Sequence, residues 1–349
     1  MNQMTRSDLK VRTLDAGSAV AWDDFVDACP EATFFHRAGW RNVIENSFGH
    51  QCHYLIAERG GRITGVLPLT HIRSRLFGNA LISNAFCVYG GAACNDDEAR
   101  TALAARAKAL AVDLGVDYLE YRNRKRAQGD LPCKSDLYVA FRKSLDPDPA
   151  KNLLAIPRKQ RAMVRRGAKL GLQADSDDDV TRFTRIYGAS VRNLGTPVFG
   201  KPYFRALKQQ FGEDCQIVTV TKDGKAISSV MSFAFRDEIH PYYGGGTSEA
   251  RSLAANDFMY WEVMRRAVEG GFRTFDFGRS KRGTGSFAFK KHWGFEPEPL
   301  HYEYVLLHTA DIPEINPLNP KYRAFIALWK RLPLPVANAI GPHLARNFG

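Results

Sequence analysis

Two stretches of this chain repeat one pattern of strands, turns and helix. The first begins with His53–Leu69 and reaches a Tyr-Gly-Gly motif at Tyr89, and the second begins with Gln216–Ser232 and reaches the same motif at Tyr243. Each copy continues with an apolar-striped helix, a glycine and a short strand. A repeat of roughly 155 residues is far too long for a solenoid. The pattern therefore predicts two domains built on one plan, with a cleft between or beside them.

The repeat also sets the expected domain ranges. A length of 349 residues is enough for two domains with separate cores. The rigid polar segment Asp146–Pro149 is the candidate boundary. We therefore expect an N-terminal domain over 1–147, a C-terminal domain over 148–310, and a basic, proline-rich tail over 311–349.

The charge balance restricts the class of partner. The net charge is +12 and the pI is about 9.4. Such an excess favours RNA, a phosphorylated cofactor or an anionic membrane surface, and a merely soluble basic surface is the alternative. The polar segment Met1–Leu14 lacks a signal-peptide core, and no apolar run approaches the ~20 residues of a membrane helix. These features predict a cytoplasmic protein.

The cysteines and histidines indicate neither disulfides nor a metal site. No two of the six cysteines form a Cys-x-x-Cys pair, so free buried thiols in a reducing compartment are expected. Cys52 lies between His50 and His53, but on a strand Cys52 would face away from His53. We expect no metal centre.

A dense basic segment, Ile156–Lys169, follows the predicted boundary and is expected to be helical, with Pro157 in its first turn. Its cations fall on one face: Arg158, Arg161 and Arg165, with Lys169 in line below them. The acidic run Asp175–Asp179 follows closely, so a solvated helix offset by that run is one interpretation. A patch that binds phosphates is the other.

The tail carries a predicted basic aromatic helix, Tyr322–Leu332. Trp329, beside Lys330 and Arg331, could rest on an anionic membrane surface, which would make the protein peripheral at the inner membrane. Docking of the tail onto the body of the protein is the alternative.

The most specific segment is Phe275–Phe295. A strand containing Asp276 leads into a glycine-rich basic loop with Arg279 and Arg282, which is followed by Phe-Lys-Lys and an aromatic-Gly-aromatic turn. Asp276-Phe-Gly is not the protein-kinase motif, because the catalytic loop and strand lysine of kinases are missing. The glycines of the loop alone are a weak phosphate-loop signal.

Together these residues resemble the FemAB family of acyl- and aminoacyltransferases. Phe289, Lys290 and Lys291 match that family's Phe-Lys-Lys motif, the segment from Pro157 to Lys169 resembles its basic inter-domain helix, and Arg192–Pro197 is similar to the segment that follows. The resemblance spans roughly residues 20 to 310 and is nearest to the group associated with PEP-CTERM/exosortase and exopolysaccharide loci, whose tails look like Leu332–Pro335. It implies an α/β fold with mixed sheets: two tandem acetyltransferase-like (GNAT) domains with a basic helix, 156–170, between them.

The resemblance also bears on the acyl donor. Ordinary GNAT enzymes bind the CoA pyrophosphate with an Arg/Gln-x-x-Gly-x-Gly/Ala loop, where this chain has Arg251–Asn256. Arg251 is retained, but both later small positions differ. The donor therefore stays open between acyl-CoA, an acyl-carrier-protein thioester and aminoacyl-tRNA. The family requires no metal and no bound redox cofactor.

The reaction class suggests roles for individual residues. An amine attacks an activated acyl carbonyl, so the protein must stabilise the oxyanion and accept a proton. We expect Lys290 to contact the oxyanion or a donor phosphate, with Lys291 as the second candidate and the ring of Phe289 packed beside them. Tyr243 could orient the acceptor or only cover the core. Asp276 could relay a proton or only cap a neighbouring loop. The remaining candidates for phosphate contacts are cations: Arg251, Arg279, Arg282, Arg158, Arg161 and Arg165.

The sequence therefore predicts an N-acyltransferase that acts on a sugar or peptide amine in cell-envelope or exopolysaccharide biosynthesis. Two alternatives remain. One is an aminoacyl-tRNA-dependent peptidyltransferase of the peptidoglycan-bridge type, for which tRNA would be a partner. The other is a non-catalytic binding protein that retains the fold.

Overall fold

Each copy of the repeated pattern forms a mixed sheet flanked by helices. The computed structural model describes residues 9–74, 78–313, 320–347 and 349, with only the backbone described for 320–324. The chain divides into two units. Unit 1 is Met1–Ser135, Leu300–Pro313 and Asn347–Gly349, and unit 2 is Asp136–Pro299 and Glu314–Arg346.

Unit 1 has one sheet and three α-helices among its described residues. Its strands are β1 (Leu9–Thr13), β2 (Gln51–Arg59), β3 (Arg62–Ser74), β4 (Gly78–Ser83), β5 (Ala93–Cys94), β6 (Tyr118–Asn123), β7 (Cys133–Lys134) and β16 (His301–Leu306). Its α-helices are α1 (Ala19–Ala28), α2 (Gly39–Phe48) and α3 (Asp97–Asp113), and its 3-10 turns are Ala16–Ser18 and Phe34–His36. The sheet order is β1-β2-β3-β4-β6-β16-β7, with β5 on the edge of β3.

Local sequence explains the main elements of unit 1. The β2–β3 hairpin turns at Gly60 and Gly61, whose φ angles of 55° and 77° favour glycine. The side chain of Asp96 accepts a hydrogen bond from Ala99 N and caps α3. The predicted apolar stripe of this helix is buried in the core of unit 1. The Tyr-Gly-Gly motif at Tyr89 lies in a loop, because β4 ends at Ser83.

Unit 2 has a second sheet and more helices. Its strands are β8 (Tyr138–Ser144), β9 (Gln173–Ser176), β10 (Cys215–Lys222), β11 (Lys225–Phe235), β12 (Glu238–Gly246), β13 (Thr274–Asp276), β14 (Ser280–Lys281) and β15 (Pro297–Pro299). Its helices are α4 (Pro149–Ala155), α5 (Arg158–Lys169), α6 (Thr181–Leu194), α7 (Lys201–Phe211), α8 (Ala255–Glu269), α9 (Gly285–His292), α10 (Pro320–Trp329) and α11 (Leu334–Ala345), with a 3-10 turn at Gly212–Asp214. The sheet order is β9-β10-β11-β12-β13-β8-β14, with β15 on β8.

The two sheets share one topology. In each, three antiparallel neighbours lead to a parallel pair, β4 with β6 and β12 with β13, and an antiparallel strand follows. That last strand comes from the other half of the sequence: β16 pairs with β6, and β8 pairs with β13. The units therefore differ from the ranges expected from sequence, since β8 belongs to unit 2 and β16 to unit 1. The Asp146–Pro149 segment lies inside unit 2, between β8 and α4.

Helices α10 and α11 of the tail belong to unit 2. Trp329 is buried, and its ring stacks on Phe325 at 5.4 Å. The backbone carbonyl of Lys330 accepts a hydrogen bond from Arg192 Nη1 at 2.9 Å. The expectation that Trp329 rests on a membrane is therefore wrong, because its indole is covered by protein. Pro317–Asn319 lies outside the described residues, as does the start of the N-terminal segment up to Asp8.

Three further observations concern the cysteines, membrane-spanning helices and metal sites. All six cysteines are free thiols, and five of them are buried. No helix within the described ranges has the length and apolar character needed to cross a membrane. In that same part of the chain, no cluster of three or more His, Cys, Asp or Glu side chains could hold a metal ion.

Candidate active site

Two parallel strands diverge in the middle of the unit 2 sheet. β12 and β13 pair only where Glu238 and Ile239 face Thr274 and Phe275. β13 ends at Asp276, whereas β12 continues to Gly246. Over the described residues, the later part of β12 therefore has no strand partner on that side. Unpaired backbone groups at a strand edge can bind an extended ligand by strand addition.

Asp276 organises the turn at the point of divergence. Its carboxylate is almost fully buried and accepts a hydrogen bond from Gly278 N at 2.8 Å. Arg142 Nε on β8 lies 3.2 Å from Asp276 Oδ2, and Arg142 also pairs with Glu238. His240 Nδ1 on β12 lies 3.7 Å from the same Asp276 oxygen. Asp276 therefore caps this turn, which was one of its two predicted roles, and its role as a proton relay stays a prediction.

Gly278 is required by its surroundings. Its φ is +70°, a conformation that residues with a Cβ rarely adopt. A Cβ added there would lie 2.7 Å from His240 Nε2. The turn is thus closely packed against β12, and the carbonyls of Gly278 and Arg279 are held in place.

Lys290 binds those two carbonyls. Thr284 accepts a hydrogen bond from Phe287 N and starts α9, which places Lys290 in its last turn. Lys290 Nζ donates to Gly278 O and to Arg279 O, each at 3.1 Å. The amine also lies 5.7 Å from the ring centre of Phe141 and 5.6 Å from that of Phe277. The side chain is therefore held in place instead of extending into solvent.

This environment changes the acidity of the amine. The residue keeps part of its surface exposed, but its nitrogen lies among two rings and two carbonyls. Burial lowers the pKa of Lys290 to about 7; the Asp276 carboxylate opposes this decrease and the Arg279 cation adds to it. Neutral and protonated forms are then both populated near neutral pH. A neutral amine has two N–H donors and one lone pair, so the two carbonyls can use both donors and leave the lone pair unoccupied.

Tyr243 lies in a different environment. It is buried, and its hydroxyl is 2.8 Å from that of Tyr203. The rings of Tyr187 and Phe204 pack edge-on against it, with centroid distances of 5.7 and 5.3 Å. Burial raises its pKa well above the ordinary value. Tyr243 therefore covers the core, which was one of the two roles predicted for it. Its contact with an acceptor stays a prediction.

The other candidates of the motif separate into packed and exposed groups. Phe289 packs against Tyr260 and Trp293, with centroid distances of 5.7 and 6.0 Å. Lys291 is exposed, as are the cations Arg251, Arg279 and Arg282. Arg279 lies over the ring of Tyr138 at 4.6 Å. The structure thus gives Lys290 a fixed position and leaves the neighbouring cations at the surface of unit 2.

The segment Arg251–Asn256 leads into α8. α8 begins at Ala255, and its N-cap is Ala254 in the left-handed conformation, with φ +57°. Asn256 is the second residue of the helix and lies beside Gly246, where an added Cβ would be 2.7 Å from Asn256 Oδ1. The Arg251–Asn256 segment therefore packs closely against the end of β12.

The basic segment is a helix, α5, as predicted. Its inner side packs on α8, where Gly167 has no room for a Cβ because Phe258 would be 2.8 Å away. Its outer side borders a shallow cavity of about 410 Å³. The cations that line it are Arg158, Arg161, Arg165, Arg166 and Lys169. No ion pair of these five is seen within the described residues, because the acidic run binds Arg182 instead, through Asp175 and Asp177.

The start of α5 also lies near the Phe-Lys-Lys segment. A Cβ at Gly294, just past α9, would be 3.1 Å from Pro157 Cδ. Phe295 N donates to Lys290 O at 3.3 Å. The basic face and Lys290 are thus joined through one short turn of unit 2.

Part of unit 2 is similar to a known protein family. Residues 156–291 match the family model described as an acetyltransferase (GNAT) domain. This part of unit 2 is therefore similar to a GNAT domain. The match includes the basic helix, the diverging strands and the Phe-Lys-Lys segment. No curated protein matches the chain.

Solved structures extend the likeness to both units. The crystal structure of FemX covers 86% of this chain and 98% of its own, with a TM-score of 0.69 and 16% identity. The C-terminal domain of a putative lysylphosphatidylglycerol synthetase from Agrobacterium fabrum covers 90% of this chain and 96% of its own, with a TM-score of 0.56 and 14% identity. A tandem GNAT protein from the clavulanic acid biosynthesis pathway covers 87% and 100%, with a TM-score of 0.53 and 15% identity. At these identities the likeness concerns the fold, and the predicted tandem GNAT fold is confirmed.

Three residues at the candidate active site were not predicted from the sequence. Arg142 falls before the expected boundary, so nothing indicated that it would reach Asp276. His240 lies on the predicted strand beside the Tyr-Gly-Gly motif, but a lone histidine there carries no pattern. Gly278 was seen only as part of a glycine-rich loop. A prediction that β8 joins the second sheet would have identified Arg142.

Proposed function

We propose that unit 2 transfers an acyl group to an amine and that Lys290 accepts the proton of the attacking amine. The GNAT domain already gives an acyltransferase fold. The observation that carries the proposal is the position of the Lys290 amine, which donates hydrogen bonds to two backbone carbonyls. Burial also lowers the pKa of this amine to about 7. Catalytic bases are most effective when their pKa lies near the working pH. This replaces our expectation of an oxyanion contact with a proton-transfer role.

The steps balance without a metal or a redox partner. The acceptor nitrogen attacks the acyl carbonyl, and neutral Lys290 takes one proton from that nitrogen. The tetrahedral intermediate then collapses, the bond to the leaving group breaks, and the Lys290 ammonium returns the proton to the leaving atom. The free edge of β12 is suited to align an extended amide arm of the donor by strand addition. Asp276 and Gly278 hold the carbonyls that orient Lys290.

The donor in this proposal carries phosphate. The unpaired cations of α5 and the exposed Arg251, Arg279 and Arg282 suit a phosphorylated donor, such as acyl-CoA, an acyl carrier protein or an aminoacyl-tRNA. The α5 face, joined to the Lys290 segment at Gly294, favours aminoacyl-tRNA as a second candidate. That donor would make the protein a peptidyltransferase of the peptidoglycan-bridge type.

The acceptor and pathway rest on sequence resemblance. The Phe289–Lys291 motif and the Leu332–Pro335 tail support a role beside PEP-CTERM/exosortase and exopolysaccharide loci. The acceptor would then be a sugar or peptide amine of an envelope polymer, modified at a cytoplasmic site. One structural neighbour is described as a putative lysylphosphatidylglycerol synthetase, a name that also involves an aminoacyl group.

A paired substitution tests the role of Lys290. The full chain is first incubated with acetyl-CoA, acyl carrier protein or aminoacyl-tRNA and amine acceptors, and products are identified by mass spectrometry. Lys290→Ala should then lower kcat by about 10²–10⁴-fold, the usual contribution of a general base. Lys291→Ala, which removes an exposed neighbour, should change kcat less than about twofold.

The pH profile separates the two chemical roles. A base must be neutral, so turnover should rise as pH increases through about 7 and then level off. An oxyanion contact needs the ammonium, so turnover would fall over the same range. Full turnover of a stably folded Lys290→Ala protein would contradict both roles.

A further inference from the structure

Helix α11 is packed the opposite way to an ordinary surface helix. Its buried residues are small: Ala337, Gly341 and Ala345, spaced four residues apart on the face that packs on the rest of unit 2. Its large aliphatic side chains lie on a different face, where Val336 is 40% exposed and Ile340 is 44% exposed. A surface helix of a soluble protein normally buries its large apolar side chains and exposes polar ones. The described part of unit 2 therefore leaves an apolar face of this helix uncovered.

Close packing fixes this orientation of α11. A Cβ added at Gly341 would lie 3.1 Å from both Val198 N and Val198 O, so the helix backbone lies directly against that segment. A Cβ added at Gly188 on α6 would likewise lie 3.1 Å from Asn338 Oδ1. Rotating α11 to bury Val336 or Ile340 would bring a larger side chain to a place where a methyl group has no room. The apolar face is therefore held outward by the fold.

Helix α10 adds to the exposed apolar surface of the tail. Its Leu328 is 65% exposed, whereas the neighbouring Trp329 is buried against unit 2. Leu194, the last residue of α6, is 70% exposed beside α10, because a Cβ at the next residue would lie 2.5 Å from Ile326 Cγ2. We call the exposed side chains of Leu328, Val336 and Ile340 the outer tail surface.

The tail that carries this surface is strongly cationic. Residues 315–349 include no Asp or Glu and five cations: Lys321, Arg323, Lys330, Arg331 and Arg346. These residues supply +5 of the net charge of +12. Lys330 and Arg331 directly follow α10 and are exposed, and neither has a carboxylate partner in the part of the chain that the structure describes. The apolar side chains are therefore flanked by cations that attract an anionic surface.

Charge and shape distinguish between the surfaces that could cover this face. A two-fold contact with a second copy would bring the same patch onto itself. Lys330 and Arg331 would then meet cations, with no carboxylate of the tail to balance them. The outer face of a helix is also convex, and a lipid surface binds a convex apolar face without a matching groove. A membrane with anionic lipids supplies both the apolar phase and the negative charge.

We propose that the outer tail surface docks unit 2 onto an anionic lipid membrane. Leu328, Val336 and Ile340 enter the boundary between head groups and acyl chains, and Lys330 and Arg331 contact lipid phosphates. The helices lie on the membrane, and no helix in the described ranges could span it. Trp329 stays inside the protein, so the contact differs from the one predicted from the sequence. The proposal does not depend on acyl transfer by unit 2.

Vesicle flotation of the full chain tests this proposal. Vesicles of phosphatidylcholine alone are compared with vesicles of equal parts phosphatidylcholine and phosphatidylglycerol. The chain should bind the anionic vesicles, more weakly at high salt than at low salt, and bind the neutral vesicles little. The double variant V336Q/I340Q removes the apolar contacts and keeps good helix formers, so its partition coefficient should fall about tenfold or more.

Matched controls come from other exposed positions. V20Q/V112Q changes valines of unit 1 that are 74% and 57% exposed and should alter partitioning less than about twofold. K330Q/R331Q should lower binding to anionic vesicles about tenfold or more at low salt and flatten its salt dependence. R62Q/K108Q removes the same charge from exposed positions of unit 1 and should have less than about a twofold effect.

Three outcomes would overturn the proposal. The first is no binding to anionic vesicles. The second is an equal loss of binding in a tail variant and its control, which would show only a general effect of charge or apolar surface. The third is self-association, measured by sedimentation, that V336Q/I340Q abolishes while vesicle binding is unchanged; this would assign the face to a second copy. If V336Q/I340Q melts early, Leu328→Gln decides instead, because Leu328 is 65% exposed. None of these measurements requires turnover, so they stand apart from the test of Lys290.

Discussion

Replacing Lys290 with methionine should make the stability of unit 2 depend on pH in a defined way. In the folded protein the pKa of Lys290 is about 7, against an ordinary value of 10.5. Below pH 7 both folded and unfolded chains are protonated, and the folded chain bears the full cost of the enclosed charge. Between pH 7 and 10.5 the unfolded chain binds more protons, so stability rises with pH in this window. Methionine removes this dependence.

The magnitude follows from the same two values. The interval from 10.5 to about 7 corresponds to about 5 kcal/mol at ~1.4 kcal/mol per pKa unit. Because Lys290 keeps part of its surface in solvent, we expect about 2–3 kcal/mol. The lost hydrogen bonds to Gly278 O and Arg279 O add a cost of about 1–3 kcal/mol per carbonyl that does not vary with pH. The test therefore depends on how the difference in free energy of unfolding between the two proteins changes with pH, and not on the sign of that difference at one pH.

Urea unfolding at a series of pH values from 6 to about 10.5 measures this difference, with tryptophan fluorescence as the signal. The free energy of unfolding of Lys290→Met, taken relative to that of the parent, should fall by about 2–3 kcal/mol as the pH rises from 7 to 10.5. Lys291→Met is the matched control on the same helix turn and should stay parallel to the parent. A difference that is constant with pH would refute the enclosed, low-pKa amine.

Two further predictions concern unit 2. Gly278→Ala should lower the free energy of unfolding by about 1–3 kcal/mol more than Gly283→Ala. Both glycines have positive φ, but a Cβ at Gly278 would lie 2.7 Å from His240 Nε2, whereas nothing lies within 4 Å of a Cβ at Gly283. Equal shifts in melting temperature would contradict the close packing. The double charge reversal R158E/R165E should weaken binding of tRNA or CoA and flatten the salt dependence of that binding. The control K159E/R205E changes exposed positions that do not line the α5 cavity and should alter binding little. Filter binding or calorimetry at several salt concentrations compares the two variants.

Local patterns predicted most of both sheets. The β2–β3 hairpin, the α3 stripe and the order of elements in each copy follow from periodicity and glycine placement, which act over a few residues. The exchange of β8 and β16 could not be predicted in this way, because pairing partners more than 130 residues apart leave no local signal. Tyr243 shows the same limit: its strand was predicted, but the hydroxyl contact with Tyr203 depends on how α7 packs.

The candidate site was also predicted only in part from the sequence. Lys290 was identified by its motif, and its fixed position is as expected for a lysine that follows a packed Phe289. The lowered pKa was not predictable, because it arises from Phe141 on β8 and from the turn at Gly278.

The repeat also shows where the two units differ at the end of their parallel strands. In the aligned pattern Glu120 takes the place of Asp276: Glu120 is the last paired residue of the parallel ladder in its sheet, and Asp276 directly follows the ladder in the other. Glu120 is engaged by Arg122 on the same strand, and β6 continues to Asn123. Asp276 instead accepts the Gly278 amide, so the chain turns at once and brings two carbonyls under Lys290. The two copies thus differ in the partner of one carboxylate, and in unit 2 that partner is the backbone amide of the turn that holds Lys290.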